Sequence, residues 1–137
     1  MMRVFAAFLL ILVALTGCRF ERGPAQQPAI DRQQDSERSG IGFASRRKLE
    51  EHYLKHGREF GSVDIDQYLR LAQVLRDGKA GGEILEIVRA DGVITRFDRG
   101  SGAFLAFNPD YTIRTFFVPN DGEAYFRRQA RRSQRMP

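Results

Sequence analysis

The run Asp77-Gly78-Lys79-Ala80-Gly81-Gly82 divides the chain into two stretches of different period, and neither an all-helical nor an all-strand fold accommodates both. Before the break, apolar residues recur at helical spacing. From Ser45 to about Gly57, Leu49, Tyr53, His56 and Phe60 are spaced to face a core, and Gly57 is placed as a C-terminal stop. A second helix follows at once. Ser62 is positioned to cap it, Asp64 and Asp66 suit its positive end, and Ile65, Tyr68, Leu69, Ala72 and Leu75 mark one apolar face.

Beyond the break the period is that of strands joined by tight turns. Glu83 to Arg89 meets Val93 to Phe97 through Ala90-Asp91-Gly92, where Asp-Gly is a strong hairpin signal. Gly100-Ser101-Gly102 leads to Ala103 to Phe107, and Asn108-Pro109-Asp110 leads to Tyr111 through Val118. Each connection is too short for a crossover, so the four strands form an antiparallel meander. A last helix is expected from Gly122 to about Arg132, with Tyr125, Phe126 and Gln129 turned toward the sheet. The expected fold is therefore α+β: two N-terminal helices packed on a four-stranded antiparallel meander, with a short C-terminal helix. Eleven phenylalanines and four tyrosines supply core material in a chain without tryptophan.

The domain does not begin at residue 1. Met1-Met2-Arg3 and the apolar run Val4 to Leu15 have the form of a targeting segment, and ~12 residues are fewer than the ~20 a membrane-spanning helix needs. Leu15-Thr16-Gly17-Cys18 resembles the lipobox of bacterial lipoproteins, which implies a signal peptide at 1–17, lipidation of Cys18 and an envelope location on a membrane anchor. The other use of such a segment is an ordinary cleaved signal that releases the protein. Cys18 is the one cysteine, so an internal disulfide is excluded. Residues 18–42 are polar, rich in Gln, Arg, Glu, Pro and Gly, and read as a flexible tether to a domain at 43–132, followed by a basic tail at 133–137.

The formal charge is +5, concentrated in Arg127-Arg128-Gln129-Ala130-Arg131-Arg132 and Arg135. Such a balance suits nucleic acid or anionic lipid heads, although a basic terminus also serves simply to be solvated.

His52 and His56, the only histidines, stand four residues apart with Lys55 between them. On a helix they share one face. Three uses are open to the pair. A metal site is the first, but the helical zinc-protease pattern places Glu directly after the first histidine, where Tyr53 stands, and no second ligand cluster completes it. No metal and no cofactor are expected. Packing at the helix–sheet seam is the second. Acid–base chemistry is the third, since an imidazole both takes and gives a proton near neutral pH.

The neighbouring motifs favour the third use. Thr95-Arg96-Phe97-Asp98 and Thr112-Ile113-Arg114-Thr115-Phe116-Phe117 put hydroxyls and guanidiniums on aromatic strands. Alternation places Thr115 on one face with Ile113 and Phe117, and Arg114 on the other with Thr112 and Phe116. Cleaving RNA without metal needs a base for the 2′-hydroxyl, an acid for the leaving 5′-oxygen and cations around the phosphate. His52, His56, Lys55, Arg96 and Thr115 meet that demand. The structural alternatives are an ion pair of Arg96 with Asp98 or Glu86, a solvated Arg114, and β-propensity alone for Thr115.

Five segments carry a resemblance: His52 to Gly61, Tyr68 to Ala72, Arg89 to Asp98, Ile113 to Pro119, and Gly122 to Phe126. In order they resemble toxin domains of the Barnase–EndoU–Colicin–RelE-like superfamily, most closely those of bacterial polymorphic and contact-dependent inhibition toxins. The resemblance implies metal-independent RNA cleavage, often of tRNA, that leaves a 2′,3′-cyclic phosphate. It implies His52 or His56 as the helix histidine, Arg96 as the sheet arginine and Thr115 as the strand hydroxyl. Arg114, Tyr125, Arg127 and Arg128 are the expected substrate contacts. An acidic immunity protein is the implied partner. Those toxins usually end a long secreted protein, whereas this domain follows a lipoprotein-type signal. The alternative function is a lipid-anchored binding or envelope-interaction domain with structural histidines.

Overall fold

The computed structural model describes residues 40–133. The expected signal peptide, Cys18, most of the tether and nearly all of the basic tail lie outside the described residues. Ile41 and Gly42, expected to end the tether, already belong to the domain: Ile41 O accepts from Arg76, and Gly42 O accepts from the Ile113 N–H.

Helix α1 spans Arg46–His56, with the Ser45 hydroxyl accepting from the Lys48 N–H as its N-cap. Gly57 is its C-cap, as expected, but in a right-handed conformation with φ −57°, and the chain runs on as a 3-10 turn through Gly57–Phe60 to Gly61, whose φ is 84°. Gly57 is glycine for want of space. A Cβ there would lie 2.6 Å from the Tyr53 ring, and that ring is pinned by its hydroxyl donating to Val63 O at 2.8 Å. Gly57→Ala would gain up to ~1 kcal/mol of helix preference but overpack the seam at a cost of ~1–3 kcal/mol. We expect net destabilisation, read as a lower urea midpoint at unchanged slope.

Helix α2 spans Ile65–Asp77 and is capped by Asp64, not by Ser62. Asp64 and Gln67 form a reciprocal capping box at 2.7 and 2.8 Å. Strands β1 (Ile84–Val88), β2 (Ile94–Asp98), β3 (Phe104–Phe107) and β4 (Ile113–Phe117) follow in the order β1-β2-β3-β4, each antiparallel to the next. Helix α3 spans Glu123–Ser133. The α+β meander is thus as expected from the turn spacing.

Both faces of the sheet are covered, and every residue of β3 is buried. On one face Leu105, Phe107, Ile113 and Phe116 pack with Leu49, Tyr68, Ala72 and Leu75 of α1 and α2. On the other, Phe97, Phe104 and Ala106 pack with Phe126 of α3. Tyr68 centres the first core, its ring against Phe43, Tyr53, Phe60 and Phe116 and its hydroxyl donating to Phe116 O at 2.5 Å. Burial first, and the Glu59 charge second, push that phenol well above its ordinary range.

Strict alternation fails in β4. The pairing moves from Ala106↔Thr115 to Phe107↔Ile113, which leaves Arg114 as an extra, unpaired residue. Ile113 therefore joins Phe116 in the first core and does not share the face of Thr115 and Phe117. Arg114 is thrown outward at the sheet edge, where it is exposed.

Candidate functional site

Helix α1 lies against the free edge of β4, and the residues ahead of it hold it there. Phe43 runs parallel beside Ile113, with the Ile113 N–H donating to Gly42 O at 2.9 Å. His52 then meets the Phe43 ring at 5.0 Å between centroids, and His56, one turn on, lies over Phe117 at 5.2 Å. The two imidazoles are 6.3 Å apart. The pair is brought to one place, as the i, i+4 spacing requires.

Their environments differ. His56 Nδ1 lies 2.8 Å from Glu59 Oε1, and since a carboxylate only accepts, Nδ1 carries the proton and donates it. The other Glu59 oxygen accepts the Val118 N–H at 2.7 Å. The end of β4 thus fixes Glu59, Glu59 fixes the imidazole, and Nε2 of the neutral ring is left as a bare acceptor. Glu59 was not among the expected site residues. Its signal was its place three residues after His56, which a 3-10 turn converts into contact.

His52 Nδ1 is buried and has no hydrogen-bond partner. Burial foremost, then the nearby charges of His56 and Lys48, hold its pKa below the ordinary value of 6.5. The unfolded chain therefore binds the proton more readily than the folded one. Stability from this residue is full above about pH 6.5 and is lost as pH falls through the lower folded value. The fall in melting temperature between about pH 7.5 and about pH 5.5 is expected to be smaller in His52→Gln than in the parent protein.

Lys55 and Arg96 do not join the histidines. Lys55 lines a separate hollow with Tyr53, Leu54, Gly57, Arg58 and Val63, while Lys48, one turn before His52, occupies the histidine side. Arg96 lies on the opposite sheet face from Thr115: it pairs across the sheet with Leu105 and, through it, Phe116, whereas Thr115 pairs with Ala106. Its guanidinium donates to Leu75 O, Arg76 O and Gly78 O at 2.9, 2.5 and 2.6 Å and pairs with Glu86 at 2.6 Å. Those carbonyls end α2 and lack helical partners, and a cation there also meets the negative end of the helix. Arg96 is a helix cap, and its pairing with Glu86 is the structural alternative seen in the sequence.

Arg127 is also occupied elsewhere. It shares Glu123 with Arg99, and those two arginines hold the half-buried Glu123 carboxyl down to about 2. Arg128 pairs with Asp121 and lies 5.8 Å over the Tyr125 ring. Tyr125 in turn meets Phe117 edge-on at 5.4 Å, and Phe117 meets His56. A continuous surface therefore runs from Arg128 through Tyr125 and Phe117 to His56 and His52. Half-buried Thr115, two residues before Phe117 on the same face, makes no hydrogen bond through its hydroxyl to any of the described residues.

This surface holds an oriented proton acceptor, aromatic faces and cations. Side chains of these kinds have the chemistry to stack on bases, to meet phosphates and to accept a hydroxyl proton. Among the described residues no three His, Cys, Asp or Glu side chains gather as a metal site, and no helix is long and apolar enough to cross a membrane. No protein-family model matches the chain, and no curated protein matches it.

Proposed function

We propose that the domain is a metal-independent endoribonuclease, a toxin of the Barnase–EndoU–Colicin–RelE-like kind acting on RNA such as tRNA. The observation that carries this reading is the fixed series Val118 N–H, Glu59, His56, which leaves one bare imidazole nitrogen on a ring that meets Phe117, against which Tyr125 packs. In the proposed reaction the 2′-oxygen bonds to phosphorus and its proton passes to His56 Nε2. The bond to the 5′-oxygen breaks, that oxygen takes a proton from water, and a 2′,3′-cyclic phosphate remains. Glu59 stabilises the imidazolium that forms, as a carboxylate behind a histidine does in hydrolase triads. Arg114 and Arg128 supply positive charge along the strand, and Tyr125 and Phe117 supply faces on which bases stack.

The lipidated Cys18 and an acidic immunity protein belong to the same proposal. Incubating the purified protein with total tRNA in the presence of a chelator is expected to yield defined fragments ending in cyclic phosphate. Intact tRNA at every pH from acid to alkaline would leave a binding domain as the function.

A further inference from the structure

Beside the histidines lies an open hollow of about 190 Å³ between the start of α1 and the β3–β4 turn. Phe43, Lys48, His52, Asn108, Thr112 and Arg114 line it. Its charge is one-sided. Arg114, pushed out by the bulge, has no ion-pair or hydrogen-bond partner among the described residues. Lys48 is paired at 2.8 Å with Glu51, on the same helix. The nearest carboxylate on the turn, Asp110, accepts from the Thr112 N–H at 2.9 Å and is held low by that backbone bond and the Thr112 hydroxyl.

His52 supplies a donor. A buried N–H without an acceptor is among the rarest of unpaired groups, so the proton of neutral His52 belongs on Nε2 and Nδ1 is the bare nitrogen. His56 has the reverse tautomer, because Glu59 demands the proton at Nδ1. The two rings therefore cannot do the same work: His56 offers a lone pair and His52 offers an N–H. His52, Arg114 and Asn108 line the same hollow, and an imidazole N–H, an unpaired guanidinium and an amide together are a donor set for a phosphate oxygen.

We propose that this hollow is a second phosphate site, holding a backbone phosphate of the RNA next to the one cleaved, with His52 as a neutral Nε2–H donor and not a proton shuttle. The assignment rests on the ribonuclease reading for the identity of the strand, but its test needs no cleavage. Imidazole nitrogen NMR of the purified protein is expected to show Nε2–H at His52 and Nδ1–H at His56 near neutral pH. Nδ1–H at His52 would overturn the donor role.

Titration with inorganic phosphate, and separately with a 2′-O-methyl oligoribonucleotide that cannot be cleaved, is expected to move the His52 ring signals. Arg114→Gln is expected to weaken both effects about tenfold, the loss of one charge-assisted contact. Arg58→Gln, which removes the same charge at the separate hollow of Lys55, is expected to leave them unchanged. Equal weakening by both variants would reduce the effect to net charge and overturn the site. Response to free phosphate alone, without the oligonucleotide, would overturn its assignment to a polynucleotide.

Discussion

His56→Ala is expected to lower the rate of RNA cleavage by ~10²–10⁴-fold, the usual contribution of a positioned general base, while the protein remains folded. Magnitudes separate the two effects. In rate terms the loss corresponds to ~3–5 kcal/mol of transition-state stabilisation. In stability terms the substitution removes one exposed ion-paired hydrogen bond and a ring contact with Phe117, together ~1–2 kcal/mol. Glu59 keeps its bond to Val118 N–H, so the strand end is not released. Glu59→Gln should retain that backbone bond through its amide oxygen yet lose at least ~10-fold in rate, because the amide no longer stabilises the imidazolium. Single-turnover cleavage with melting curves on the same samples checks both. Full activity in His56→Ala would remove His56 from the chemistry.

The largest effect on stability is expected at Arg76, which is 1% exposed. Its guanidinium holds Asp77 with two bonds of 2.8 Å and donates to Ile41 O at 2.6 Å and Tyr111 O at 3.1 Å. It also lies 5.9 Å over the Tyr111 ring, and Tyr111 is the one non-glycine residue described with positive φ, at 67°. One side chain thus ties α2 to the segment that leads into α1 and to the turn between β3 and β4. Removing one partner of a buried pair costs ~3–5 kcal/mol, since the remaining charge and carbonyls lose their partners in a site water enters poorly. Arg76→Ala is expected to fall in that range by urea denaturation. Arg76→Lys should recover little, because an ammonium cannot reproduce the two-pronged pair with Asp77 while reaching both carbonyls. A change below ~1 kcal/mol in Arg76→Ala would show that the segment around Ile41 is held by other contacts.

The architecture was legible because local signals agreed with one another. Asp91-Gly92 and the short turns after β2 and β3 left only an antiparallel meander, and the helical stripes around Leu49 and Tyr68 needed a sheet to cover. The departures are local. Gly57 ends α1 where its place in the chain puts a helix end, but the Tyr53 ring that excludes a side chain there is invisible in a sequence, which does not show what a missing Cβ would meet. The capping residue moved from Ser62 to Asp64 because Gln67 completes a reciprocal box only with Asp64.

The site was legible in part. Spacing alone brought His52 and His56 together, because four residues on a helix always share a face. Arg96 looked as suitable as Arg114, since both are guanidiniums on aromatic strands. The register of β2 and the end of α2 turned Arg96 into a cap, and a single extra residue in β4 turned Arg114 outward beside His52. Glu59 was hidden because its role depends on Val118, distant in sequence and adjacent only once β4 ends against the 3-10 turn.

By itself, then, the order of residues determined the element types, the meander and the pairing of the histidines, all of which depend on periods and turns within a few residues. Tertiary structure decided which cations stand beside them, which carboxylate orients His56, and which nitrogen of each ring carries the proton. Those depend on register, on one bulge and on burial, and none of the three is a property of a residue's neighbours in the chain.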